Sequence, residues 1–108
     1  MKYQVTQADD HIVIDIHETR IDAAIAVLFK DTLRPIMTEA SGPVHLRLEQ
    51  VMFMDSSGLG AVIALRKALR DDLVMVLDQV TPNVERVFRL TRMDSVFTIH
   101  PVGGAAVA

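Results

Sequence analysis

The chain contains no cysteine. That excludes disulfide scaffolds, thiol catalysis, thiolate zinc sites and cysteine-held iron–sulfur clusters together. It also fits a cytoplasmic setting, where thiols are kept reduced. Tryptophan is absent and aromatic residues make up only 5% of the chain, so there is no platform on which nucleic-acid bases would stack. There is no basic surplus: 11 Lys and Arg stand against 14 Asp and Glu, a formal charge of −3. Without that surplus a protein has little to gain by releasing counterions, and no nucleic acid is expected as a partner. Long apolar runs are missing too. The longest, Ala23 to Phe29 and Leu59 to Leu65, fall far short of the roughly 20 residues that cross a bilayer. The stretch from Met1 to Gln7 lacks the apolar centre of a signal peptide, so no membrane association is expected.

What remains is 108 residues, half of them hydrophobic, enough for one compact core without staples. One domain over residues 1–102 is expected. The small, uncharged tail at 103–108, Gly-Gly-Ala-Ala-Val-Ala, is expected to be flexible.

Residues 2–7 and 11–17 read as two strands joined by a turn at Ala8-Asp9-Asp10. Ile12, Ile14 and Ile16 alternate with His11, Val13, Asp15 and His17; Val44, Leu46 and Leu48 alternate with His45, Arg47 and Glu49. A period of two with one largely polar face predicts a sheet fully covered on one side only. Residues 73–77, Leu-Val-Met-Val-Leu, are apolar throughout and predict a central strand buried on both faces. A last strand is expected at 97–100, stopped by Pro101.

Helices fall between the strands. Ile25, Leu28, Phe29, Leu33, Ile36, Met37 and Ala40 keep helical spacing. Asp22 is the expected N-cap, and Pro35 predicts a kink near residues 31–34. A second helix is expected from about Ser57 to Arg70, burying Leu59, Val62, Ile63, Leu69 and the stem of Arg66. A third should start at Thr81-Pro82, a cap followed by proline in the first helical position, with Val84, Val87, Phe88 and Thr91 inward. The order β-β-α-β-α-β-α-β implies an α/β domain with a mixed, mostly parallel sheet.

The informative segment is Phe53-Met54-Asp55-Ser56-Ser57-Gly58-Leu59-Gly60. It lies between the 44–49 strand and the second helix, at the strand-end, helix-start position where open α/β sheets expose functional groups. A helix start carries unpaired N–H groups and favours an anion. Ser56 and Ser57 are either helix caps or hydroxyls displayed for modification, and one serine can do each. Asp55 either caps, orients a hydroxyl or is a solvated turn residue. Gly58 and Gly60 would let another molecule approach the first turn.

Other chemistries lack their motifs. There is no Gly-x-Ser-x-Gly elbow and no phosphate-binding Gly-x-x-x-x-Gly-Lys loop. His17-Glu18 opens like a zincin helix, but position 21 is Ile. His11, His17, His45 and His100 have no spacing that suggests a metal site, and no metal is expected. Arg86, Arg89 and Arg92 read as a solvated face, with an acidic partner surface as the alternative. No base accompanies the serines at a recognisable spacing, so no enzyme activity is expected.

Leu46-x-Leu48-Glu49 followed by Phe53-Met54-Asp55-Ser56-Ser57-Gly58-Leu59-Gly60 resembles the signature of STAS domains, specifically bacterial anti-sigma factor antagonists. Ile21-Asp22 resembles the family's Leu-Asp element, and Leu77, Val80 to Val84, Val87-Phe88, Leu90 and Phe97 to Ile99 its last strand–helix–strand unit. The likeness covers about residues 3–100. Two departures are the missing glycine within His17 to Asp22 and a C-terminal tail without a strong fourth-helix pattern. The resemblance implies a single STAS-like domain with helices mainly on one sheet face. It also implies a partner-switching role, in which the unphosphorylated antagonist binds an anti-sigma factor that is a GHKL-type serine kinase. Phosphorylation of the serine after the aspartate, here Ser56, releases that partner, and a PP2C-type phosphatase reverses the change. Asp22, Asp55, Ser57, Gly58, Leu59 and Gly60 would surround the phosphosite. ATP and metal belong to those enzymes, so no cofactor is expected in this chain. The alternative is a constitutive STAS scaffold, for example in a transport complex, with the serines acting as caps only.

Overall fold

The computed structural model describes residues 1–103. A five-stranded sheet has the order β1-β2-β4-β6-β7. Its strands are β1 (Tyr3–Gln7), β2 (Ile12–Ile16), β4 (Val44–Arg47), β6 (Met75–Val80) and β7 (Thr98–Pro101). β1 and β2 form an antiparallel hairpin; every other pairing in this sheet is parallel. Two short strands, β3 (Arg20–Ile21) and β5 (Phe53–Met54), pair in parallel beside it. The helices are α1 (Ala26–Glu39), α2 (Ser56–Ala68) and α3 (Pro82–Leu90).

The register sets the two sheet faces. Ile14 pairs with Leu46 and Leu46 with Leu77, so their side chains stack on one face, where all three are fully buried. Phe29, Leu33 and Met37 of α1 and Leu59, Val62 and Leu65 of α2 belong to the same core. On the opposite face the register aligns Asp15, Arg47, Asp78 and His100. This face stays partly solvated, as the alternation predicts: His45 and Asp15 are half-buried while Ile14 and Leu46 are sealed. Asp78 joins three strands there. His45 Nδ1 lies 2.7 Å and His100 Nδ1 2.9 Å from its two oxygens. Burial pushes the Asp78 carboxyl up, but the two histidines outweigh it and hold it below the ordinary carboxylate range.

Several local expectations need correction. The 73–77 strand starts two residues later, at Met75, and runs on to Val80. Pairing with β4 begins at Val44–Met75, which leaves Val74 half exposed in the approach to the sheet. Met75, Val76 and Leu77 are buried as expected for a central strand. Pro101 is the last residue of β7, not a stop before it. An edge strand tolerates a residue that cannot donate.

α1 begins at Ala26, and its N-cap, Ile25, makes no side-chain cap bond. Asp22 instead closes the preceding turn: its Oδ1 accepts from Ala24 N–H, and its carbonyl accepts from Ile25 and Ala26. The helix continues past Pro35 to Glu39, and Asp31 and Pro35 both lie on its exposed side. In α2, Leu65 joins the buried stripe, while Ile63 is only partly covered and Arg66 is half-buried, as its stem predicts. α3 starts as predicted, with Pro82 in its first turn. Thr81 does not cap with its side chain, however; its hydroxyl donates to the buried Val51 carbonyl at 2.6 Å. Val84 and Phe88 are buried, Val87 is partly so, and Thr91 is exposed. The expected tail at 103–108 falls, apart from Gly103, outside the described residues.

Candidate functional site

β3 and β5 were not legible as strands, yet they build the site. Their parallel pairing, Arg20 with Phe53 and Ile21 with Met54, brings two chain segments out at the same end. Asp22 follows one strand and Asp55 the other. Asp55 is the N-cap of α2. Its Oδ1 accepts from Gly58 N–H at 3.0 Å, and its Oδ2 accepts from Ala23 N–H at 3.2 Å. One carboxylate therefore closes the first turn of α2 and ties it to the loop that enters α1. The Gly58 bond holds the Asp55 carboxyl below its ordinary range; burial opposes this and the Ala23 bond adds to it.

With Asp55 in the capping role, the serines are left free. Ser56 and Ser57 are the first two residues of α2, both exposed. Neither hydroxyl has a hydrogen-bond partner among the described residues, in contrast to Thr81 and Thr91. The expectation that a serine caps is corrected by the backbone: Asp55 has the extended conformation of a cap (φ −98°, ψ −172°), and Ser56 is already helical. The anion-favouring helix start is already occupied by this carboxylate.

The two glycines differ. Gly58 is buried, and a Cβ there would lie 2.0 Å from the Ile21 carbonyl oxygen. Its role is to admit the protein's own β3 backbone, not an outside molecule. At Gly60 a Cβ would meet nothing within 4 Å. Gly60 is exposed on a groove of about 250 Å³ between α1 and α2, which Val27, Lys30 and Ser57 also line. Leu59 is buried and anchors α2 without facing the surface.

Sequence reasoning missed a set of exposed apolar side chains on the elements that flank the serines. Val27, Leu28, Met52 and Phe53 are large apolar side chains left 40–63% exposed. Arg20 lies over the Phe53 ring at 4.2 Å and bonds Asp22 Oδ2 at 3.2 Å. The available signal was position: Val27 falls off the α1 stripe, and Met52-Phe53 lies at the start of the motif; Leu28, expected on that stripe, is instead half exposed. The histidines do not join this site. His11 lies against His45 with ring centroids 4.3 Å apart and the planes tilted by 40°, on the open sheet face.

The STAS domain family matches residues 2–106. The chain belongs to the STAS domain family. It is 26% identical over 91 residues to an anti-sigma-B factor antagonist of Staphylococcus epidermidis, covering 80% of this chain and 84% of that protein. An anti-sigma factor antagonist from Mycobacterium paratuberculosis superposes with a TM-score of 0.83 at 21% identity, over 93% of this chain and 85% of the other. The phosphorylated form of the Bacillus cell fate determinant SpoIIAA superposes with a TM-score of 0.67 at 17% identity, over 97% and 96% of the two chains. This STAS domain thus shares its fold with both and its sequence family with antagonists of anti-sigma factors. Among its described residues, no helix is long and apolar enough to cross a membrane.

Proposed function

We propose that this STAS domain is an anti-sigma factor antagonist switched by phosphate on Ser56. In its unphosphorylated form it binds an anti-sigma factor that is also a GHKL-type serine kinase; phosphorylation releases that partner, and a PP2C-type phosphatase restores binding. The domain binds and presents a hydroxyl but catalyses nothing itself, in a cytoplasmic setting. The observation that carries the reading is the exposed, unbonded Ser56 hydroxyl, one residue after the capping Asp55. Phe53 and Met52, three and four residues ahead of it in the chain, are exposed apolar side chains with the character of a protein-contact surface. The S. epidermidis relative carries the name of such an antagonist, and the SpoIIAA fold is known in a phosphorylated form.

Phosphate adds about −1.5 to −2 charges. The Asp55 carboxylate already takes the Gly58 N–H, so the helix start has little left to offer the dianion. Refolding of the domain is not required. The change acts at the contact, where a partner shaped for a neutral hydroxyl must strip water from a dianion.

The test is binding of wild type, Ser56→Ala and Ser56→Asp to one cognate kinase, with intact mass and phosphosite mapping after incubation with ATP. Ser56→Ala should bind and accept no phosphate, Ser56→Asp should bind more weakly, and Ser57→Ala should still be phosphorylated. Phosphate on Ser57 alone would move the site by one residue. Equal binding by all three proteins would replace the switch with a constitutive scaffold.

A further inference from the structure

We propose that β1 is a self-pairing edge, through which two copies of this chain join their sheets about a two-fold axis centred on Val5. β1 ends the five-stranded sheet, and all five of its residues are exposed. Soluble proteins guard such edges with charge, proline, bulges or a covering element. The other edge of this sheet is guarded: β7 contains Pro101, and its pairing is interrupted by a bulge between Asp78 and Val80. β1, Tyr-Gln-Val-Thr-Gln, has neither charge nor proline, and its register with β2 is unbroken.

The hairpin's hydrogen bonds show which groups point outward. Ala8 N–H donates to His11 O, and His17 N–H donates to Lys2 O. In an antiparallel ladder the bonded pairs alternate, so the even positions of β1 bond to β2. The main-chain N–H and C=O groups of Tyr3, Val5 and Gln7 therefore face away from the sheet. A two-fold through Val5 makes this set self-complementary: Val5 meets Val5 of the second copy, and Tyr3 meets Gln7. Each such pair exchanges two hydrogen bonds, and the interface is isologous.

The side chains agree. Tyr3 and Val5 stand opposite Ile16 and Ile14, so they share the core face of the sheet, yet they remain 39% and 43% exposed. Pairing would place Val5 beside its counterpart and extend the apolar face across the junction. Charge fits as well. Lys2 precedes the strand and Asp9 follows it, and neither is in an ion pair among the described residues. Antiparallel pairing sets the Lys2 of each copy beside the Asp9 end of the other. A strand of five residues buries less surface than a permanent dimer needs, so the association is reversible and rises with concentration.

The experiment is sedimentation of the purified chain from micromolar to millimolar concentration. Wild type should pass from monomer toward dimer. Val5→Lys should stay monomeric, and so should Val5→Pro, because the Val5 N–H is not used within the monomer. Circular dichroism of both variants checks that they are folded. Because the chain lacks cysteine, a Val5→Cys variant adds an independent readout. Directly paired Cα atoms would lie about 5.5 Å apart, within disulfide range. Val5→Cys should oxidise to a covalent dimer at least tenfold faster than Arg86→Cys, a control on the exposed side of α3. A wild type that is monomeric throughout, a Val5→Lys that associates like wild type, or equal oxidation rates of the two cysteine variants would each overturn the proposal.

Discussion

Replacing Gly58 with alanine should destabilise this domain, against the usual direction for a helix. Alanine in a helix interior is favoured over glycine by roughly 1 kcal/mol, and the same change at Gly60 should realise up to about that gain. At Gly58 the new methyl would sit 2.0 Å from the Ile21 carbonyl oxygen and 2.9 Å from both the Ile21 carbonyl carbon and Met54 Cγ. Met54 can turn aside, but the Ile21 carbonyl is backbone, held in the β3–β5 pair. Separating them by the missing ångström or more means moving α2 away from β3, which also strains the Asp55 bonds to Gly58 and Ala23. Overpacking usually costs about 1–3 kcal/mol, and a contact this short against main chain lies at the upper end. After the propensity gain, a net loss of about 2 kcal/mol is expected, equivalent to roughly 8–16 °C in melting temperature for a domain of this size. Urea unfolding of wild type, Gly58→Ala and Gly60→Ala under one condition measures it, with unchanged slopes as the check on two-state behaviour. If Gly58→Ala unfolds at or above the wild-type midpoint, the close approach of β3 to α2 is wrong, and so is the account of why this glycine is there.

Ser56→Ala should shift the unfolding midpoint by less than about 0.5 kcal/mol, because Asp55 and not Ser56 is the cap; a loss near 1–2 kcal/mol would restore the serine to capping. Thr81→Val should cost about 1–3 kcal/mol in urea unfolding, since it leaves the buried Val51 carbonyl without its donor. The carboxyl of Asp55 is held low by the Gly58 N–H, so its contribution is present above the unfolded aspartate value of about 3.9 and is lost as pH falls through the lower folded value. Wild type should therefore exceed Asp55→Asn in stability at neutral pH, with the gap closing below about pH 4; a gap that widens on acidification would reverse the sign of this account. Asp78 is also held low, so Asp78→Asn should lose the same acid-sensitive contribution, measured the same way.

The fold class, the three helices and the polarity of the sheet faces were legible because each is written as a period. Ile12, Ile14 and Ile16 alternate with polar neighbours, and burial follows that alternation once strands pair. β3 and β5 are two residues each, too short to carry any period, and they exist because they pair with one another across 33 positions of chain. The start of α1 was misplaced for a related reason. Asp22 is an adequate cap by type, but Asp55 ties down Ala23 N–H, and the intervening turn delays the helix to Ala26.

The sequence by itself determined most of what must be inside: the spacing of its apolar residues marks which face of β2, β4 and each helix leaves water, while neighbouring elements decide how completely. It also placed Asp55, Ser56 and Ser57 at a strand-to-helix junction. Only the tertiary structure decided which of them caps and which are displayed, because that depends on the backbone angles of one residue and on a donor from Ala23, far away in the chain. It likewise decided that Gly58 serves an internal contact while Gly60 faces solvent, and that Asp78 gathers His45 and His100 from strands on either side of it. Such contacts between distant residues leave no local pattern, because they arise only when the elements have already packed.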